Sequence, residues 1–424
     1  MRNLILFIKS EDEKLKKVLS VVLSTLMFLC CCISASAYDF DKGTTDMDYS
    51  SYSGKTLTVF NWGEYLSDGS DDMMDVNAEF EELTGIKVNY VNFETNEDMY
   101  AKIKGGGSNY DVIIPSDYMI ARMAKEGMLE KLDYSKIPNY KYIDDSYKGL
   151  YYDVNNEYTV PYCVGKVGLI YNSKMVEGKP DSWSILWDEK YAGKILMINN
   201  SRDAFGVAHF LLGNSVNTED AEKWNAAADK LKEQKEKSLL KGYVMDEVFN
   251  QMEQGSAAMV PYYAGDFLTM YANNPDLAFV YPKEGTNIFV DCACIPKGAE
   301  NKEMAELYIN FLTDPAVAVE NAIYTGYASP NKAVLEDEAY IEYLAEIHPD
   351  AQKILYGDPG VSVEYYHDLP EGTKALMNQL WEDLKADGFD AGILIIVCVV
   401  VIVALAVFFI VKNQKRKKAM DDVD

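Results

Sequence analysis

Cysteine and histidine are scarce in this chain. Seven cysteines occur in 424 residues. Cys30, Cys31 and Cys32 lie in an N-terminal apolar stretch and Cys398 in a C-terminal one, which leaves Cys163, Cys292 and Cys294. An odd number without metal-ligand spacing excludes a disulfide framework and a zinc site, so these three read as buried thiols. The three histidines, His209, His348 and His367, form no pair at helical spacing. There is no G-x-S-x-G elbow, no Walker A sequence and no H-E-x-x-H. The one glycine-rich run, 105–108, follows a helical pattern and is no phosphate loop. Nothing here marks a catalytic residue, a metal or a cofactor, and the chain reads as a non-enzyme. Positive charge is also in deficit. The formal net charge is −27, a field that repels nucleic acid and gathers cations. Acidic residues are so numerous that a pair of them carries little information.

What is present is concentrated first at the two ends. Residues 391–411 read AGILIIVCVVVIVALAVFFIV, without charge or proline, and KNQKRKK follows at once. At about 1.5 Å per residue such a helix spans the roughly 30 Å hydrocarbon core of a bilayer. The basic cluster from Lys412 to Lys418 belongs on the cytoplasmic side. Residues 412–424 are too few for a domain, so the function lies in the ectodomain. At the other end Lys14, Lys16 and Lys17 precede an apolar stretch from Val18 to Ile33, then Ala35-Ser36-Ala37. This predicts a signal peptide over 1–37. An uncleaved N-terminal anchor is the alternative. The residues before Cys32 lack the small side chains of a lipobox.

Between the ends the chain has an α/β rhythm. Residues 38–54 are polar and turn-rich and read as a linker. Strands are expected at 56–61, 86–93 and 110–114, with helices at 73–83, 97–104 and 118–129, which implies a mainly parallel sheet. The run 158–172, YTVPYCVGKVGLIYN, is a long extended segment that looks like a crossing between lobes. A second α/β set follows, with strands at 194–199 and 257–261 and helices over 204–213, 218–236 and 245–254. The apolar strand 288–295 could cross back. Helices are expected at 304–312, 316–324 and 369–387. The length suits two cores better than one.

Several segments then resemble one family in order: VFNWGEYL, FEELTGIKVNYVNFETNEDMYAKIK, YDVIIPSDYMIARMAKEGML, DSWSILWDEKYAGKILMINNSRDAFGVA, YPKEGTNIFVDCACIP, AELYINFLTDPAVA and TGYASPN. They are similar to bacterial spermidine/putrescine-binding proteins, the extracytoplasmic solute-binding subunits of polyamine ABC transporters. The resemblance covers about residues 55–387. It implies a two-lobed periplasmic-binding-protein fold of type II with an interlobe cleft, to which the C-terminal transmembrane helix is added. It implies lobe 1 over 55–162 and 290–330, and lobe 2 over 163–289 and 331–388.

A polyamine joins ammonium groups by methylene chains, so its cleft combines carboxylates with aromatic walls. The resemblance places Trp62, Glu64 and Tyr65 of NWGEY, and Ser116 and Tyr118 of PSDY, in that cleft. It adds Asn200 and Asp203 of NNSRDAF, Tyr262 or Tyr263, Phe289, Asp291, Tyr327 of TGYASPN, and Tyr366. The chain departs at Gly63, where the family often has a hydroxyl residue, and at Asn200, where it has an acid. The lost charge at Asn200 favours putrescine over spermidine. Asp203 alone also reads as a helix N-cap. Asp291 is more telling, because it lies inside an apolar strand where an unpaired acid is costly. Trp183 and Trp187 read as packing. The implied partners are a polyamine and the permease and ATPase of an ABC importer, with the membrane held by the C-terminal helix and no nucleic acid. The implied location is the cell membrane, single-pass, with the ectodomain outside. Discrimination against lysine and arginine is expected from the want of a carboxylate-binding group. A sensory or co-receptor ectodomain of the same fold is the alternative, as is import of another small solute.

Overall fold

Strand β1 (Thr56–Trp62) is buried at Leu57 and from Val59 to Asn61, as a central parallel strand should be. In the computed structural model, which describes residues 38–106 and 109–386, β1 pairs in parallel with β2 (Lys87–Phe93) and β3 (Val112–Ile113). The sheet order is β2-β1-β3. The intervening helices begin and end where the sequence chemistry says. Asp75 caps Val76–Thr84 and Gly85 closes it in a left-handed conformation. Thr95 and Gly106 do the same for Asn96–Gly105.

The second sheet is built on β4 (Val160–Asn172). Its first half pairs antiparallel with β9 (Thr286–Ala293), and its second half with β7 (Met259–Tyr263) and β8 (Leu277–Val280). Beyond β7, strands β5 (Ile195–Ile198) and β6 (Leu240–Val244) run parallel to one another. β10 (Val363–Tyr365) pairs with β9 on the opposite side. This sheet is therefore mixed rather than mainly parallel. β4 changes partners along its length, and the change falls where the chain passes from one hydrophobic core to the other. Cys163 packs in the core with Leu57, Val59, Phe80 and Phe311. Val164 and Val167 pack in the other, with Trp183, Phe205, Trp224 and Phe267. This second cluster also covers the opposite face of the first sheet, through Phe60 and Phe93. β9 returns along the same route, bridging Ser116 through Asp291 and Ile113 through Cys294. A third connection passes at Ala328, which bridges Val164.

The segment 38–54 is not a bare linker. Lys42–Thr45 is a short helix capped by Asp41, and Thr44 Oγ1 donates to the buried Asp314 at 2.6 Å. Tyr49 is buried beside it and donates to the Thr44 carbonyl at 3.0 Å. Polar, turn-rich composition hid this, because the contacts are hydrogen bonds to one distant carboxylate. Trp183 and Trp187 are packing residues, their indoles donating to the carbonyls of Gly285 and Lys230 at 2.9 and 2.7 Å. Cys163, Cys292 and Cys294 are buried free thiols. Among the described residues no helix is long and apolar enough to cross a membrane. The expected signal peptide at 1–37, the transmembrane helix at 391–411 and the basic tail lie outside those residues.

Candidate functional site

The parallel strands of both sheets point their carboxyl ends into one cleft. In open α/β sheets that is where ligands bind. Trp62 closes β1, and Gly63, Glu64 and Tyr65 follow it. Asn96 follows β2 and Ser116 follows β3. From the other side come Asn200, Arg202 and Asp203 after β5, Met245, Asp246 and Phe249 after β6, and Asp266 after β7. The cleft, its mouth included, encloses about 840 Å³. Every residue expected at the site from the sequence lines it. Their role towards a ligand is taken up below.

On the first wall, the Trp62 indole donates to the Ile114 carbonyl at 2.9 Å and lies 4.5 Å from the Phe93 ring. Glu64 takes a left-handed backbone, φ 48°, a strained turn for a residue with a side chain. Its carboxylate accepts from Tyr324 at 3.1 Å. Asn96 ties Ser116 and Tyr118 together, donating to their hydroxyl oxygens at 3.0 and 3.1 Å.

On the second wall, Asn200 is the N-cap of the helix Ser201–Leu211, its side-chain oxygen accepting from the backbone of Arg202 and Asp203. Asp203 is therefore not the cap. Its carboxylate instead accepts from the Tyr263 hydroxyl at 2.7 Å. Of the two tyrosines the sequence left open, Tyr263 makes the polar contact. Tyr262 lies behind it, ring centroids 4.9 Å apart. Asp266 accepts from Tyr327 at 2.9 Å.

The floor comes from β9. Phe289 meets Tyr263 edge-on at 5.5 Å. Asp291 is 3% exposed; one oxygen accepts from Tyr65 at 2.7 Å, and Oδ1 has no partner among the described residues. Behind it, Asp117 is fully buried and accepts from the backbone N–H of Tyr118 at 2.7 Å.

Five carboxylates thus face one cleft: Glu64, Asp203, Asp246, Asp266 and Asp291. Burial pushes Asp203 up to about 6, Asp266 to about 7 and Asp291 to about 6, partly offset by their tyrosine donors. Asp246 is raised by burial and by the neighbouring Glu247. Burial and the charge of Asp291 raise Asp117 well above the usual carboxylate range. An unpaired buried carboxylate is unfavourable until a cation or a proton meets it. Among the described residues, the one cationic side chain on the lining is Arg202. Its guanidinium lies 4.6 Å from the Tyr366 ring centre and 5.5 Å from that of Tyr118. It donates to Asn217 and to the His367 carbonyl at 3.3 Å. The cleft therefore does hold a cationic group, contrary to the expectation from the sequence, although it is 4% exposed and occupied by aromatic faces.

Sequence reasoning missed Asn96, Arg202, Met245, Asp246, Phe249, Asp266 and Asn287. Asp246 follows a strand the sequence pattern did not show, because LKGYV carries a lysine and a glycine in its middle. Asp266 stands in the first turn of a helix, Ala264–Asn273, that was also not expected.

Comparison with known proteins agrees with this geometry. Residues 76–346 match the family model described as bacterial extracellular solute-binding protein. The spermidine/putrescine-binding periplasmic protein of Salmonella typhimurium is 35% identical over 337 residues, covering 78% of this chain and 92% of that protein. A solved Listeria monocytogenes protein is 35% identical, with a TM-score of 0.72, over 78% of this chain and 99% of that one. The spermidine/putrescine ABC transporter substrate-binding protein PotD of Streptococcus pneumoniae is 32% identical, with a TM-score of 0.64 and the same coverage. Two sheets joined by β4 and β9, with a carboxylate-lined cleft at their junction, thus carry a family match over more than half the sequence: the chain belongs to the bacterial extracellular solute-binding proteins, a family of binding proteins rather than enzymes.

Proposed function

We propose that this protein captures a polyamine, putrescine or spermidine, outside the cell and delivers it to the permease and ATPase of an ABC importer. The observation that carries this reading is three carboxylates, Asp203, Asp266 and Asp291, each held by a tyrosine hydroxyl, in a cleft walled by Trp62, Tyr263, Phe289 and Tyr327. Such walls suit a methylene chain and, through their ring faces, an ammonium group. Asp291 on the floor and Asp203 on the second wall line the same cleft, so one diamine can meet both. The ligand-binding set is Trp62, Glu64, Tyr65, Ser116, Tyr118, Asn200, Asp203, Tyr262, Tyr263, Phe289, Asp291, Tyr327 and Tyr366, joined by Asp246 and Asp266. Asn200 enters through its amide N–H groups, since its oxygen caps the helix.

The lobes are residues 55–162 with 290–330, and 163–289 with 331–388. A ligand that touches both favours the closed arrangement by that difference in contact alone. The protein is held at the membrane by the apolar run 391–411, with the signal peptide 1–37 removed and the tail 412–424 inside. Import separates this role from a sensory ectodomain. Deleting the gene is expected to abolish high-affinity uptake of labelled putrescine or spermidine by whole cells. Unchanged uptake with altered signalling would favour the sensor.

A further inference from the structure

Three rings of the cleft wall rest on glycines. Phe289 in β9 lies across Gly165, its partner in β4. A Cβ placed on Gly165 would fall closer than 3.0 Å to three atoms of that ring. Tyr366 reaches Gly206, within the helix Ser201–Leu211. A Cβ there would collide with the tyrosine hydroxyl and lie 3.4 Å from Cζ. Tyr327 lies on Gly265, where a Cβ would come within 2.7 Å of the ring. None of the three glycines has a positive φ, so the backbone does not require glycine at any of them. Gly206 even carries a cost, since glycine inside a helix is less favourable than alanine. Gly165 stands in a strand, where glycine marks close approach of another group.

Each supported ring holds a part of the site. Tyr366 carries the Arg202 guanidinium 4.6 Å from its ring centre and Tyr327 donates to Asp266, while Phe289 packs edge-on against Tyr263. Interiors are close-packed, so a ring pressed from behind moves towards the open side. The open side here is the cleft.

We infer that Gly165, Gly206 and Gly265 are specificity-determining positions, which set how far the walls of Phe289, Tyr366 and Tyr327 stand back and hence the girth and length of amine chain admitted. The inference rests on the polyamine reading of this cleft. These residues would not touch the ligand; they act through the rings.

Gly206→Ala separates this from a structural role. Helix propensity predicts an unchanged or higher melting temperature for the ligand-free variant. Affinity for putrescine and spermidine should nevertheless fall about tenfold or more, by calorimetric titration. Because the colliding atom is the Tyr366 hydroxyl, the same substitution in a Tyr366→Phe background should change affinity less than about twofold. Wild-type affinity in Gly206→Ala, or an undiminished loss in the Tyr366→Phe background, would overturn the inference. A second arm needs no ligand. The crystal structure of Gly165→Ala should show the Phe289 ring moved into the cleft by about 1 Å or more, the shift needed to restore van der Waals contact. A ring left in place would refute it. Should the wild type bind no polyamine, the functional reading falls while this arm still decides the role of the glycines.

Discussion

Replacing Asp291 by asparagine should weaken ligand binding and strengthen the empty protein. Asp291 sits within β9, 3% exposed, with one oxygen held by Tyr65 and the other without a partner among the described residues. Its pKa stands at about 6 against an ordinary 3.8. A shift of roughly two units corresponds to about 3 kcal/mol of cost for carrying the ionised group at neutral pH. Asparagine removes the charge at nearly constant volume and can still accept from Tyr65. The ligand-free Asp291→Asn variant should therefore gain up to about 3 kcal/mol at pH 8. With ligand the sign reverses. The lost partner of a desolvated ammonium costs about 2–4 kcal/mol, a drop in affinity of roughly 30- to 1000-fold. Calorimetric titration of putrescine and spermidine measures the second effect, and chemical denaturation of the empty protein the first. Wild-type affinity in the variant would show that Asp291 meets no ligand amine. A destabilised empty variant would show that its charge is not the strained element described here.

Other consequences are open to measurement. Asp203, Asp266 and Asp291 all have raised values in the fold, about 6 to 7, so the folded state holds more protons than the unfolded one. Their contribution to the stability of the empty protein is greatest at acid pH and falls as pH rises from about 4 to 7. Binding a cation runs the other way: affinity should rise between pH 5 and 8, by at most about tenfold per unit for each proton released, and a flat profile would contradict the assignment. Protease added to intact cells should release a fragment close to the size of residues 38–390, and a protected ectodomain would reverse the proposed topology. Saturating polyamine should reduce the radius of gyration in small-angle scattering and raise the melting temperature. Equal radii with and without ligand would end the hinge model.

The sequence made some of this legible and not the rest, for physical reasons. Strongly periodic elements were visible: β1, the helix Val76–Thr84 with its Gly85 stop, and the long β4. Asp291 stood out because an acid is expensive in an apolar strand. The site residues came from the resemblance, and the cleft gathers all of them. The helix Ala264–Asn273 was hidden because its polar face is only Asp266, Thr269 and Asn273 and it follows β7 with no loop to mark its start. β10 was hidden because three residues hold no pattern. The docked segment 38–54 depends on Asp314, far along the chain, and no local signal announces such a partner. Asn200 was read for the charge it lacks, whereas its position before SRDAF also makes it an N-cap.

One titration series bears most directly on the proposed function: calorimetry of the purified protein with putrescine, spermidine, lysine, arginine and a neutral disaccharide at pH 8. Buried carboxylates between aromatic walls predict saturable one-to-one binding of the polyamines, far weaker binding of the two amino acids, whose own carboxylate meets five others, and none of the sugar. Binding of the sugar with no heat from either polyamine would contradict the polyamine reading and leave only the solute-binding fold.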